Sequence, residues 1–164
     1  MTIEFYSTQG KYGCFSNFSR HSFWLGEKQW QTSEHYFQAQ KFANTEYYDL
    51  VYKAKTPREA ATLGRNRSFP LRKDWEEVKD DVMREALHAK FTQNQEIKEI
   101  LLSTHDQDLV EETTDDYYWG CGTDKTGKNR LGALLVELRN KLIQSSSTQS
   151  LTQQSKSSKT TLKD

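Results

Sequence analysis

The stretch TSEHYFQAQKF, residues 32–42, is where the chain leaves a strand-like pattern for a helical one. Thr32 and Ser33 offer a hydroxyl cap, and helix formers follow. Tyr36, Phe37, Ala39 and Phe42 take up much of the circumference, so this helix is apolar over most of its girth. Glu34, Gln38 and Lys41, at i, i+4 and i+7, share the remaining face. On an arbitrary helix such residues form a solvated stripe held by i,i+4 contacts. Here, with apolar residues around them, the same stripe also fits the wall of an internal cleft. A lysine in such a cleft is pushed by desolvation toward its neutral, nucleophilic form, and a neighbouring carboxylate can move protons.

Working outward, Ile3–Tyr6 alternates as a strand, and the Gly10–Phe18 stretch reads as an aromatic loop. Ser22–Leu25 and Gln29–Gln31 flank Gly26-Glu27-Lys28 as a short hairpin. Downstream, helices are expected over Glu46–Lys53, from Thr56-Pro57 to Gly64, from Trp75 behind an Asp74 cap to about Phe91, and over Ile97–Leu102. Leu109-Val110 is a strand candidate, Asp115–Lys128 a turn-rich loop, and Arg130–Ile143 the last helix, with Leu131, Leu134, Leu135, Leu138 and Leu142 on one stripe. The pattern predicts a single compact α+β domain over residues 1–143, predominantly helical, with a small N-terminal β element. It lacks the βα alternation of a doubly wound fold.

From Gln144 the composition changes to Ser, Thr, Gln and Lys, with Leu151 and Leu162 as the only apolar residues. Residues 144–164 are therefore expected to form a flexible, disordered tail. Across all 164 residues, 23 basic side chains balance 23 acidic ones. Three lysines and one aspartate belong to the tail, leaving the body with a small acid excess. Such a body lacks the long-range field of a processive polyanion binder. No apolar run approaches the roughly 18 residues of a membrane span, so no membrane partner is expected. Met1–Gly10 shows neither a basic nor an apolar leader region, and the two cysteines, Cys14 and Cys121, suit free thiols in a reducing cytoplasm.

Metal chemistry is not expected. His21, His35, His88 and His105 are scattered, and neither HExxH nor CxxC occurs. Gly122-Thr123-Asp124-Lys125-Thr126-Gly127-Lys128-Asn129 fits GxxxxGK but ends in Asn where a P-loop needs Ser or Thr. Its glycines leave two readings open, a surface turn or a set of amides for a phosphate. Arg65 and Arg67, just past Gly64, complement a helix dipole or clamp a phosphate. Trp75 and Trp119 are core residues by default, or flat walls for a base. Asp81 and Lys90 both belong to the long helix, whose polar positions by default face solvent.

The chain resembles the NADAR (YbiA-like) family. The resemblance is carried by Phe15-Ser16-Asn17-Phe18, Trp30, Ser33 through Phe42, Leu63-Gly64-Arg65, Trp75, Lys79, Asp81-Val82-Met83, Lys90-Phe91 and Leu101 to Thr104. It continues in Trp119-Gly120-Cys121-Gly122 and Gly127-Lys128-Asn129, with Leu131-Gly132 after them, in family order over about residues 5–143. The resemblance implies a mainly helical α+β fold and a metal-independent, cofactor-free N-glycosidase acting on ribosyl or ADP-ribosyl groups. Its partner would be a nucleotide-like small molecule, such as a ribosylamino-pyrimidine phosphate of riboflavin synthesis, or ADP-ribosylated guanine in nucleic acid. No obligate protein partner is implied. Breaking a C1′–N bond requires charge stabilisation at the sugar and a proton for the departing base. The resemblance makes Lys41 the catalytic amine, attacking C1′ to form a Schiff base or assisting the leaving group. Glu34 and Asp81 are the candidate carboxylates. Gln38, Arg65, Trp75, Lys90, Trp119, Gly120, Gly122 and Asn129 are candidate substrate contacts. The rival reading is a module that binds NAD or ADP-ribose without hydrolysis. A partner-recruiting protein working through its tail is a third.

Overall fold

The computed structural model describes the backbone of residues 1–160 and the side chains of residues 1–146. Where the sequence leads one to expect a flexible tail from Gln144, the described backbone continues as the last helix to Thr160, and side chains beyond 146 and backbone beyond 160 lie outside the described residues.

Ten elements follow the expected order: β1 (Thr2–Phe5), β2 (Phe23–Leu25), β3 (Lys28–Trp30), α1 (Ser33–Gln40), α2 (Glu46–Tyr52), α3 (Pro57–Gly64), α4 (Trp75–Gln93), α5 (Gln95–Leu102), β4 (Asp108–Glu111) and α6 (Arg130–Thr160). The fold is a predominantly helical α+β domain. β2 and β3 form the expected hairpin, with Phe23 opposite Trp30. Gly26 and Glu27 at its tip both have positive φ, 63° and 66°, the pairing a two-residue turn needs to match strand twist. The second pairing is not one the strand patterns alone announce. β1 runs parallel to β4, Ile3 beside Leu109 and Phe5 beside Glu111, so the first strand is laid against the last strand among the described residues.

α1 is the central element. Every residue from Ser33 to Ala39 is buried, and the helix packs against α2, α3 and α4. Its start is fixed twice. Thr32 Oγ1 accepts from the His35 amide at 3.1 Å, the cap anticipated by the sequence. Asn17, in the aromatic loop, takes the Glu34 amide on its backbone carbonyl at 3.1 Å and the Ser33 hydroxyl on Oδ1 at 2.7 Å. His35, wholly buried, bridges from Thr32 Oγ1 (2.7 Å) to the Ala54 carbonyl (2.9 Å), and burial lowers its pKa.

Gly64 ends α3, but φ there is not positive, and its absent side chain serves another purpose. A Cβ at position 64 would lie 1.9 Å from Gln38 Oε1 and 3.0 Å from Gln38 Cβ. The glycine lets α3 close onto the polar face of α1.

Two polar side chains, one half-buried and one buried, brace the elements around α1. Asn129, at φ 50°, sits beside β4 as a substitute strand, donating through Nδ2 to the Leu109 carbonyl (2.8 Å) and accepting on Oδ1 from the Glu111 amide (3.0 Å). Lys90 of α4 has no exposed surface, and its Nζ donates to the Ser16 carbonyl at 3.0 Å. With no carboxylate partner, the ammonium is disfavoured by burial and its pKa falls to about 7.

Removing both Asn129 bonds and placing Ala at a left-handed φ should cost about 2–4 kcal/mol. In urea titrations, Asn129→Ala should therefore lose that much stability, while Lys73→Ala, at an exposed position, stays within about 0.5 kcal/mol of wild type. For Lys90, the unfolded chain holds its proton up to roughly pH 10.4 and the folded chain only to about 7. The unfolded state thus binds more protons in that window, and wild-type stability should climb with pH there relative to Lys90→Met. Urea midpoints of both proteins at pH 7 and pH 9.5 check this; a constant difference would show that Lys90 keeps its proton on folding.

Candidate active site

The polar face of α1 opens onto a cavity of about 520 Å³, within the range of sites that enclose a small ligand. Three parts of the chain supply most of its wall, namely α1, the end of β1 with the Ser16–Phe18 turn, and the end of β4 with the loop that follows, joined by Arg65 after α3 and Met83 of α4. Glu34, Gln38 and Lys41 all line it, so the i, i+4, i+7 stripe faces an internal space.

Lys41 caps the C-terminal end of α1 and is only 7% exposed. Its Nζ lies 3.4 Å from the Gly64 carbonyl, which also accepts from Arg67 Nη1 at 2.9 Å. The rings of Phe37 and Trp75 stand 5.5 and 5.9 Å away. Burial is the main force on this amine, and the positive charge of Arg67 adds to it, against the attraction of Glu34. The result is a pKa of about 8, which leaves an appreciable share of free amine near neutrality.

Glu34 is 8% exposed. Burial raises its pKa, while the Gln38 amide, donating to Oε1 at 2.8 Å, and the Lys41 charge oppose that rise. Gln38 thereby holds the carboxylate in place, and its own Oε1 is buried without a partner.

The aromatic candidates separate. Trp119 lines the cavity and meets Phe37 edge-on at 5.1 Å. Trp75 packs on the other ring, 5.1 Å from Phe37, and is buried behind it. Trp75 therefore supports the wall and the Lys41 amine from outside the cavity. Arg65 lines the cavity from just beyond α3.

Four other expected contacts, and one expected acid, lie elsewhere. Asp81 is on an outer face of α4, its side chain 70% exposed and paired with Arg84. It stays there because the face of α4 that turns inward carries Val82, Met83 and Ala86. Lys90 is sealed beneath the Ser16–Phe18 turn and reaches the site only through the Ser16 carbonyl. Gly120, Gly122 and Asn129 do not line the cavity, and the loop they belong to has its amides committed internally. The Cys121 amide donates to the Glu111 carbonyl (2.9 Å), Gly122 to Thr113 Oγ1 (3.0 Å), Gly127 to the Cys121 carbonyl (2.8 Å) and Asn129 to the Gly120 carbonyl (3.1 Å). Of the two readings of this loop, a phosphate cradle or a turn, the arrangement is a turn that braces β4 and Trp119. Gly122 is required there by φ 73° and by the Tyr117 ring, 2.2 Å from where a Cβ would stand.

The sequence reading missed three acids that do line the cavity, Glu111, Asp115 and Asp116. Glu111 ends β4. Asp116 begins a tight turn, its Oδ1 accepting from the amides of Tyr118 (3.0 Å) and Trp119 (2.8 Å). A usable signal was present, since Asp116 precedes Trp119 at the spacing of such an Asx turn. For Glu111 only its place at the end of a strand candidate was available. Burial, together with the negative charges of Asp116 and Glu34, raises its pKa to about 8. Among the described residues no group of His, Cys, Asp and Glu is placed to hold a metal ion. Nor is any helix long and apolar enough to cross a membrane.

Comparison with known proteins gives one consistent answer. Residues 4–143 match the NADAR domain. The chain is 54% identical over 140 residues to N-glycosidase YbiA of Shigella boydii, covering 85% of this chain and 88% of that one. It is 42% identical over 156 residues to the chloroplastic riboflavin biosynthesis protein PYRR of Zea mays, covering 86% of this chain but 25% of that longer one. The NMR structure of the E. coli protein YbiA superposes with a TM-score of 0.83 at 51% identity, covering 88% of this chain and 86% of that one. By its sequence and by its fold, the chain belongs to the NADAR domain family.

Proposed function

We propose that this enzyme, a hydrolase of N-glycosyl bonds, works in the α1 cavity with Lys41 as its nucleophile. The observation that carries the reading is that Lys41 and Glu34, one amine and one carboxyl on a single short helix, are both withdrawn from water into the same space.

The chemistry follows from what these groups can do. The neutral Nζ of Lys41 bonds to C1′ of the ribose while the C1′–N bond breaks. The electron pair leaves with the nitrogen, which takes a proton from a carboxyl group of the cavity. The new secondary amine passes its surplus proton to Glu34. Glu34 returns that proton to O4′ as the sugar ring opens, leaving a protonated imine between Lys41 and C1′. Water then adds to C1′, the free amine is restored, and the sugar departs as an aldehyde, with one water consumed overall. Trp119 is the wall for the leaving base, and Gln38 holds the Glu34 carboxylate in place.

For the substrate we infer a ribosylamino-pyrimidine carrying one phosphate. Lys41 and Arg65 are the two basic residues in the lining, and Lys41 is occupied by the reaction. That leaves Arg65 for a single terminal phosphate, in a lining that also carries Asp115 and Asp116. A diphosphate or a nucleic acid strand would meet more negative charge than positive. The maize relative named for riboflavin biosynthesis agrees with this choice. ADP-ribosylated guanine is the competing substrate. The buried, unpaired thiols of Cys14 and Cys121 suit a reducing compartment such as the cytoplasm.

Incubation with a 5-phosphoribosylamino-pyrimidine and, separately, with an oligonucleotide bearing ADP-ribosylated guanine should give base release in the first case. Release only in the second would reassign the substrate. Lys41→Ala should lower turnover by about 10³-fold or more with the thermal midpoint kept, and borohydride should trap a sugar adduct on wild type alone. Since the amine must be unprotonated, turnover should fall as pH drops below about 8. A rate independent of pH between 6 and 8 would remove Lys41 from the nucleophile's role.

A further inference from the structure

The reaction just described needs a proton for the departing nitrogen, and Asp81, on the outer face of α4, does not line the cavity. We propose that Glu111 is the catalytic acid that supplies this proton. The inference rests on the N-glycosidase reading and adds to it a residue and a role.

The placement of Glu111 differs from that of the other carboxyls in the lining. Glu34 accepts a hydrogen bond from Gln38, and Asp116 accepts two from backbone amides, contacts that suit the ionised form. Glu111 Oε2 is buried and has no hydrogen-bond partner among the described residues. A carboxyl so placed holds its proton for a group that is not yet there, here the nitrogen of a bound substrate. Its backbone is fixed on both sides, the amide by Asn129 Oδ1 (3.0 Å) and the carbonyl by the Cys121 amide (2.9 Å). Asn129 and the glycine loop are thus positioning residues, acting on the acid rather than on a phosphate.

The charged groups sharing the lining are of both signs. α1 contributes Glu34 and Lys41, the segment after α3 contributes Arg65, and the loop after β4 contributes Asp115 and Asp116. β1 and its extension add Tyr6 and two hydroxyls, and α6 adds no charged residue to the lining. Burial and the negative neighbours Asp116 and Glu34 keep Glu111 protonated up to about pH 8. Two acids with separated tasks result, one donating and one accepting, as in other sites where environment divides a carboxyl pair. When C1′–N breaks, the electron pair stays on nitrogen and the Glu111 proton joins it, leaving a carboxylate. The proton released when water opens the Lys41 imine restores the carboxyl, so the cycle closes.

The test compares two leaving groups. The first is the amine of a 5-phosphoribosylamino-pyrimidine, which needs a proton. The second is 4-nitrophenolate from a 4-nitrophenyl riboside 5-phosphate, which does not. Glu111→Gln should lose about 10²–10⁴-fold in kcat on the first and less than about tenfold on the second. Wild type should show a falling alkaline limb near pH 8 on the amine substrate, absent with nitrophenolate. Equal losses on both substrates, or an alkaline limb that survives in Glu111→Gln, would overturn the assignment. Should that variant fail to fold, the wild-type profiles decide alone: an alkaline limb of the same position on both substrates rejects Glu111. Wild type inactive on both substrates would instead reject the glycosidase reading itself.

Discussion

Everything in the site follows from the withdrawal of one helix from water. α1 is enclosed by α2, α3 and α4, and its polar stripe keeps only the cavity as an outlet. Were the same residues on an exposed helix, Lys41 would be a solvated ammonium and Glu34 an ordinary carboxylate, worth a few tenths of a kcal/mol as neighbours. Enclosure changes their proton affinities in opposite senses, downward for the amine and upward for the acid. Both shifts destabilise the charged forms, and both move the groups toward states that can exchange protons with a substrate. The cost is met by the aromatic packing around α1, where Trp30, Phe23 and Phe42 are almost wholly buried.

The second constraint is how the opposite wall is built. β4 has one strand neighbour, β1, and its other edge is completed by the side chain of Asn129. The glycine-bearing loop before Asn129 folds back on its own carbonyls, fixing Trp119 and Glu111. A nucleotide-binding motif and a turn that braces a strand need similar residues, because both need amides brought close together. What separates them is where the amides point, and in this chain they point inward.

That distinction marks the limit of what the sequence discloses. The helices, the hairpin, the cap at Thr32 and the cleft-facing stripe of α1 are legible because each is a local pattern of spacing or capping. Trp119 and Arg65 could be placed in the site by family resemblance, and both line the cavity. Trp75 and Lys90 belong to the same motifs yet stand behind the wall, since a motif marks a residue as needed without saying at which depth. Asp81 is a candidate by resemblance alone, and it stands on the exposed side of α4, half a turn from the buried Lys90. Glu111 was invisible because its burial depends on β1 and β4 pairing in parallel, and no short-range pattern encodes that contact. Gly64 was read as a helix stop, whereas its bareness answers Gln38 on another helix.

The union of β1 with β4 has a bearing on biosynthesis. A chain emerging from the ribosome exposes its first strand long before the strand it must join, and the Asn129 brace arrives later still. Contacts between such distant segments form slowly. The nascent polypeptide therefore carries Lys41 through most of its synthesis as an unremarkable, water-coated cation. The lowered proton affinity of that amine comes first from burial, and so belongs to the folded chain alone.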